Sequence, residues 1–422
     1  MILLYNILFR FLKMLTPIAA VHPQAGQFLE KRKQDRKRIL SENIDLTNKR
    51  VVWFHAASVG ELDQCKAIAE EGKKREGNLY TLFSVFSDSV SDKQLQDSMI
   101  DFAFRLPLDF PGEYDFIFEK FRPESLVISA WDLWLNMILS AHKNNAKIYL
   151  VNATLSSSSG RMNPIAKRLT QITVSKMSGL APVSEESEIQ FRSILGNTNI
   201  PILRLGDSRF DSVSAKIEKN LEKNDPLKGY EKNRNVIILA STYSACEEMI
   251  FPVLKELLSR GRKIWIFSHK VHPERIQNIA ERLNGLSLKF SRFSEEGIKA
   301  LDSEIAVFDV LGVLAFAYSK AGFAYVGGAL HNRVHNVIEP AYFGLPVLAG
   351  PKIFNSAEAQ ELRKRRGLWT VNTADEFLEK EKYLSNEAHY RLAEKTNSDF
   401  VTENRGASER IWKTFLNRQE SE

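Results

Sequence analysis

Cysteine is scarce in this sequence: Cys65 and Cys246 are the only two in 422 residues, and they stand far apart. That excludes a disulfide framework or a zinc ribbon and fits a reducing compartment. Hydrophobic residues at 44% and charged residues at 26% lie close to the globular average, which excludes a disordered, collagenous or multi-span membrane chain. Internal repeats and low-complexity tracts are absent as well. The length implies roughly two to three domains. Acidic residues are outnumbered, 52 against 58 Lys and Arg, and the resulting charge of +6 favours an anionic partner: phosphate groups, nucleic acid or a membrane surface.

Residues 1–21 read MILLYNILFRFLKMLTPIAAV, an apolar run interrupted by Asn6, Arg10 and Lys13. A secretory signal would place its charge before the apolar run and end in a small-residue cleavage site. With the charges inside the run, the expectation is a helix lying in one membrane face. The run KRKQDRKR follows, with Lys31, Arg32, Lys33, Arg36, Lys37 and Arg38. Basic residues beside such a helix each contribute about 1 kcal/mol against an anionic cytoplasmic leaflet. The alternative is a solvated helix packed on the first domain. No aromatic residues interleave with the basic run, so no nucleic-acid partner is expected.

The remainder alternates short apolar runs with amphipathic stretches. Strands are expected at 51–54, 79–84, 124–129, 147–151, 180–183 and 201–205, and again at 236–240, 263–267, 304–308, 323–328 and 345–350. Alternation of this kind is the signature of βαβ units and parallel sheets. The Lys-rich stretch 216–235 between the two series reads as a linker. The expected fold is α/β, two Rossmann-like domains facing a cleft: a membrane-associating segment at 1–40, one domain at 41–212, a second at 213–395, and a C-terminal helix at 396–422. Ligands of such folds sit beyond the carboxyl ends of the strands.

The most informative stretch is YVGGALHNRVHNVIEPAYFGLPVLAGPKIFNSAEAQEL at 325–362. If Asn336 were the N-cap of a helix and Glu339 its N3 residue, Pro340 would sit at N4, where its missing N–H removes an intrahelical bond. Because Pro prefers N1, Glu339 is expected at the N-cap, where its carboxylate can accept hydrogen bonds from a ribose diol. Ser241 and Thr242 follow a strand and suit a phosphate, although Ser244 with Glu247 also makes a plain capping box. His269, Lys270 and His272 have no carboxylate at metal spacing, so no metal site is expected.

His335, Asn336, Glu339, Pro340 and Ala341, followed by GLPVLAGP and Phe354-Asn355, resemble the donor-site segment of the 3-deoxy-D-manno-octulosonic acid (Kdo) transferases. Further blocks fall in that family's order: VVWFHAASVGEL, FRLPLDFPG, FRPESLVIS, LVNATLS, PVSEE, GDSRFD, ASTYSACEE, VHPERI and FDVLGVL. The resemblance implies the GT-B architecture, membrane association at the cytoplasmic face of the inner membrane, and inverting, metal-independent transfer of Kdo from CMP-Kdo to a lipid A precursor, with no cofactor. It implies Glu61 as general base, with Ser58, Gly60 and Asp132 on the acceptor side. Arg209, Ser241, Thr242, His272, Gly312, His335, Asn336 and Glu339 fall to the donor side. Chemistry supports Glu61 independently, since an inverting transfer needs one carboxylate to take the acceptor hydroxyl proton. As a plain helix-start carboxylate it would instead contribute about 0.3–1 kcal/mol, and the dipole would depress its pKa.

The sequence departs from the family pattern at Ala130 to Asn136, where Glu-x-Glu-x-Trp-Pro-Asn is usual, and at Thr154, Tyr243-Ser244, Val271 and Val313. The alternatives are a divergent envelope glycosyltransferase using another nucleotide sugar, a nucleotide-sugar epimerase of the same architecture, and a catalytically inactive binding protein.

Overall fold

The computed structural model describes residues 1–222, 225–354 and 356–417. They form two compact units: residues 1–212 with 405–417, and residues 213–404. The first contains a six-stranded parallel sheet of β1 (Arg50–Ala56), β2 (Leu79–Val85), β3 (Phe102–Arg105), β4 (Ser125–Ser129), β5 (Lys147–Ala153) and β6 (Gly179–Pro182), in the order β3-β2-β1-β4-β5-β6. The second contains β7 (Val236–Thr242), β8 (Lys263–Ser268), β9 (Ser291–Arg292), β10 (Ile305–Phe308), β11 (Phe323–Val326), β12 (Val347–Ala349) and β13 (Leu368–Thr370), in the order β13-β12-β11-β7-β8-β10-β9.

Both sheets are doubly wound, so their central strands are buried on both faces and read as continuous apolar runs: RVVWFHA in β1 and VIILA at the start of β7. In each sheet the chain builds outward from one strand in one direction and then returns to its other side. The reversal falls between β1 and β4 in the first unit and between β7 and β11 in the second. Those reversals are where ligands of such sheets bind.

Three strands were not anticipated from sequence: β3, β9 and β13, each two to four residues long. Conversely, the expected strand at 201–205 is reduced to a single bridge between Leu180 and Ile202. The stretch read as a linker is partly structured: residues 216–221 end the helix Arg209–Leu221, and Leu227 is buried in the second unit's core. Residues 223 and 224 lie outside the described residues. At the other end, helix Glu387–Asn404 belongs to the second unit, and the chain then rejoins the first, where Trp412, Phe415 and Leu416 pack against β1 and α3 (Val59–Arg75). Gly72 and Gly179 make that docking possible, because a Cβ on Gly72 would meet the Trp412 ring at 2.2 Å.

Helix α1 (Ile2–Ala19) is long and apolar enough to cross a membrane by length and composition, and Leu3, Leu4, Ile7, Phe11, Met14 and Ile18 are exposed. It touches the first unit through Tyr5, which donates to Asp109 Oδ2 at 2.7 Å, and through Lys13, which pairs with Glu113. The basic run falls on α2 (Pro23–Ser41) and divides in two, part of it following the alternative of a helix packed on the first domain. Arg32 is buried and donates to the carbonyls of Leu106 and Phe86; Arg36 pairs with Glu113, and Arg38 donates to the Ala103 carbonyl. Lys33 and Lys37 stay exposed. The i, i+4 spacing of Arg32 and Arg36, with Asp35 between them pairing to Arg105, puts these charges on the face turned to the domain.

Candidate active site

In the first unit the reversal between β1 and β4 brings together residues from two turns. After β1 the chain turns at Ala57-Ser58 into α3, whose N-cap is Ser58; its Oγ accepts from Glu61 N at 3.4 Å, and Glu61 Oε2 accepts from Ala57 N at 2.5 Å. Glu61 is therefore the half-buried N3 residue of α3, its backbone N–H bonded to the cap hydroxyl and its carboxylate to the N–H of the residue before the cap. Burial raises its pKa, and the Asp132 charge adds to this, against the opposing effects of the Ala57 N–H and His55. The depression expected from the helix end is thus outweighed by desolvation. A Cβ on Gly60 would meet nothing within 4 Å, so open space adjoins this turn.

Asp132 follows β4, beyond Ala130 with its left-handed φ of 58°. Its Oδ2 lies 2.9 Å from Nε2 of the fully buried His55, whose Nδ1 lies 2.8 Å from Ser84 Oγ. Ser84 Oγ already accepts from Trp53 Nε1 at 2.8 Å, which leaves its own proton for His55 Nδ1 and directs the Nε2 proton of His55 at Asp132. Burial by itself would raise the Asp132 pKa, but His55 outweighs it and the net shift is downward. Two neighbouring carboxylates are thereby driven apart, Asp132 toward the ionised form and Glu61 toward a proton-accepting range, the arrangement that separates acid–base roles. His55 and Ser84 were not singled out from sequence. The available signal was a lone histidine inside an otherwise apolar strand.

In the second unit the reversal lies between β7 and β11. Gly327, just after β11, passes so close to β7 that a Cβ there would meet Ser241 O at 2.3 Å. Ser241 holds a left-handed φ of 51°, and Thr242 is buried, its hydroxyl donating to Glu247 Oε1 at 2.9 Å. Glu247 is fully buried and paired with Arg275 and Arg282, so it is an anchor of the turn and not the capping-box residue considered from sequence. Tyr243 follows, stacked with His269 at 4.6 Å and with His335 at 5.6 Å, its hydroxyl 3.2 Å from His335 Nε2; His331 lies at 5.9 Å. Burial, then the charges of His269 and Arg333, push the His335 pKa down to about 4. Tyr243, His269 and His331 were also missed as site residues, because they come from three separate loops.

Glu339 is not the N-cap of its helix. That helix runs Ile338–Tyr342 with Val337 at the N-cap, which puts Glu339 at N2 and Pro340 at N3, still before the first intrahelical donor is needed. Asn336 serves as the cap from one residue earlier: its Oδ1 accepts from Ile338 N at 2.9 Å and its Nδ2 donates to Glu339 Oε1 at 3.1 Å. Burial raises the Glu339 pKa, partly offset by Lys216 and Asn336. His272 is the exposed N-cap residue of helix Pro273–Gly285, and Gly312 lies exposed after β10 with φ of 87°. Arg209 sits in the first unit, its guanidinium on Asp207 at 2.9 Å, and Asp207 also accepts from Gln64. Asn355 lies outside the described residues.

Two doubly wound, Rossmann-like units define the class, the GT-B architecture. Solved structures share it: UDP-GlcNAc 2-epimerase from Neisseria meningitidis (TM-score 0.60, 13% identity, 84% of this chain and 99% of that one) and a glycosyltransferase from Rickettsia africae (TM-score 0.54, 15% identity, 87% and 97%). At such identities the likeness shows the fold alone. Within that class, residues 29–212 match the family described as 3-deoxy-D-manno-octulosonic-acid transferase (kdotransferase). The 3-deoxy-D-manno-octulosonic acid transferase of Haemophilus influenzae is 27% identical over 85% of either chain, and that of Chlamydophila psittaci 26% over 86% of this chain and 84% of its own. The resemblance to the Kdo transferase family carried by the motifs is borne out.

Proposed function

We propose that this chain is an inverting glycosyltransferase that moves Kdo from CMP-Kdo to a lipid A precursor, without a metal ion, at the cytoplasmic face of the inner membrane. The observation that carries the reading is Glu61: a half-buried carboxylate of raised pKa, at the first unit's reversal, in a chain similar over 85% of its length to a Kdo transferase. In this reading Glu61 takes the proton of the acceptor hydroxyl as its oxygen attacks the anomeric carbon, while the bond to the CMP phosphate breaks on the opposite face. Asp132 stays ionised on His55, and its charge keeps Glu61 basic enough to accept that proton.

The second unit takes the nucleotide. Glu339 accepts from the ribose hydroxyls with Asn336 fixing its orientation, and Tyr243, His269 and His335 offer flat, uncharged rings. Ser241, His272 and Gly312 are assigned to the donor's remaining contacts, and Ser58, Gly60 and Asp132 to the acceptor. Thr242 supports that side indirectly, by holding Glu247. Helix α1 provides the membrane attachment, with the exposed lysines of α2 facing anionic lipid.

The test is incubation of the purified protein with CMP-Kdo and a lipid A precursor, with mass spectrometry of the lipid. One or more Kdo additions are expected. No addition with CMP-Kdo, alongside transfer from another nucleotide sugar, overturns the donor assignment.

A further inference from the structure

Beside the Glu61–Asp132–His55 group lies a cation that the reading above leaves unused. Trp131, the residue before Asp132, stacks on Phe191 at 5.2 Å and 16°, and the Arg161 guanidinium sits over its ring at 4.8 Å. Among the described residues, Arg161 has no ion-pair or hydrogen-bond partner for that guanidinium; its one carboxylate influence is the nearby Asp132. A guanidinium held over an aromatic ring by its charge leaves its N–H donors unspent, and its planar fork suits bidentate capture of a phosphate or carboxylate.

The loop that carries Arg161 is pinned at both ends of a serine run. Leu155 N donates to Ser187 Oγ at 2.9 Å, Ser157 N donates to Glu186 Oε1 at 3.0 Å, and Ser159 Oγ accepts from Arg161 N at 3.3 Å. Ser156 and Ser158 pair at 3.1 Å, exposed beside it. A held loop of hydroxyls ending in an arginine held over a ring loses little freedom on binding an anion.

We propose that Arg161, seated on Trp131, binds an anionic group of a substrate next to the proton-accepting Glu61, and so orients that substrate. This rests on the reading of Glu61 as the base. The anion has two sources of the same chemistry, a phosphate of the acceptor glycolipid or the carboxylate of the donor sugar.

The experiment measures both KM values in wild type, Arg161→Gln and Arg161→Lys, each with melting temperature as a fold control. Calorimetric titration of the phosphorylated acceptor glycolipid and of its phosphatase-treated form accompanies the kinetics. Loss of a charge-assisted bidentate contact should raise one KM by roughly 10–100-fold with kcat nearly unchanged. Arg161→Lys should recover part of it, because charge is kept while the fork is lost. A rise confined to the acceptor, with wild-type preference for the phosphorylated form abolished in Arg161→Gln, assigns the phosphate; a rise confined to CMP-Kdo assigns the carboxylate. Unchanged KM values together with equal binding of both acceptor forms overturn the proposal. If wild type transfers no Kdo, the functional reading falls, while the titrations with phosphorylated and phosphatase-treated glycolipid and with CMP-Kdo still decide what Arg161 binds.

Discussion

The reversal between β1 and β4 gathers two carboxylates and a buried imidazole, whereas the reversal between β7 and β11 gathers a phenol and three imidazoles. The same physics acts on both. Desolvation favours the neutral form of any group, so it raises Glu61 and lowers His335. On a carboxylate this gives a group that takes up a proton more readily than a free one. On an imidazole it gives a ring that stays uncharged at pH 7, ready to stack or share a hydrogen bond but not to attract phosphate by charge. The first site is therefore suited to moving a proton and the second to holding a flat ligand.

The sharpest way to break that contrast is Glu61→Gln. Gln keeps an oxygen for the Ala57 N–H, so the cap survives, but it cannot take a proton. Transfer should fall by roughly 10²–10⁴-fold with little change in melting temperature. A variant that keeps more than a tenth of the wild-type turnover removes Glu61 from the role of base.

Asp132→Asn tests whether the two carboxylates work as a pair. The Asn oxygen still accepts from His55 Nε2, while the negative charge that helps to raise Glu61 is gone. The acid limb of the rate profile should move to lower pH, since Glu61 ionises more easily, and the rate at pH 7 should fall by about tenfold because a weaker base drives the transfer less. An unmoved limb would mean that Asp132 acts on His55 alone.

On the other side of the comparison, CMP should stabilise the protein by about 2.7 kcal/mol at a hundredfold excess over Kd, UMP and GMP by less, and EDTA should alter none of these shifts. Glu339→Gln should reduce the CMP shift and leave the free protein's melting temperature nearly unchanged, because a Gln oxygen can still accept from Asn336. Equal shifts with all three nucleotides would remove the case for a cytidine donor.

What the sequence disclosed and what it concealed follow the same division. Alternating apolar runs revealed both sheets, because buried parallel strands are long and continuous, but β3, β9 and β13 are too short to show a pattern. Glu61 and Glu339 were legible because each sits next to a residue with a fixed backbone preference, the Val-Gly turn and Pro340. His55 was not, since a strand gives a histidine no mark of the serine and aspartate it will meet 29 and 77 residues away. Tyr243, His269 and His335 are brought together only by the adjacency of β7 to β8 and β11. The basic run was ambiguous because its composition suggests a membrane, while the period of the helix turns Arg32, Arg36 and Arg38 onto the domain.

The smallest effect is also the most direct probe of the second site's uncharged rings. His335 has an ordinary pKa of 6.5 and is pushed to about 4 in the fold. Between those values the unfolded chain binds the proton and the folded chain does not, so acid favours unfolding. The stability tied to the neutral ring is whole above pH 6.5 and lost as pH falls through 4. Since the ring is partly solvated, the loss is about 1–2 kcal/mol, below the full linkage value. Wild type and His335→Gln should therefore differ in how far their melting temperatures drop between pH 7 and pH 4.5, with the variant dropping less by a few degrees. Glu61 and Glu247, whose raised pKa values oppose this trend by favouring the fold in acid, are present in both proteins and cancel in the difference. Equal drops would mean that His335 is as free to protonate in the folded protein as in the unfolded chain, and the contrast between the two sites would lose its second half.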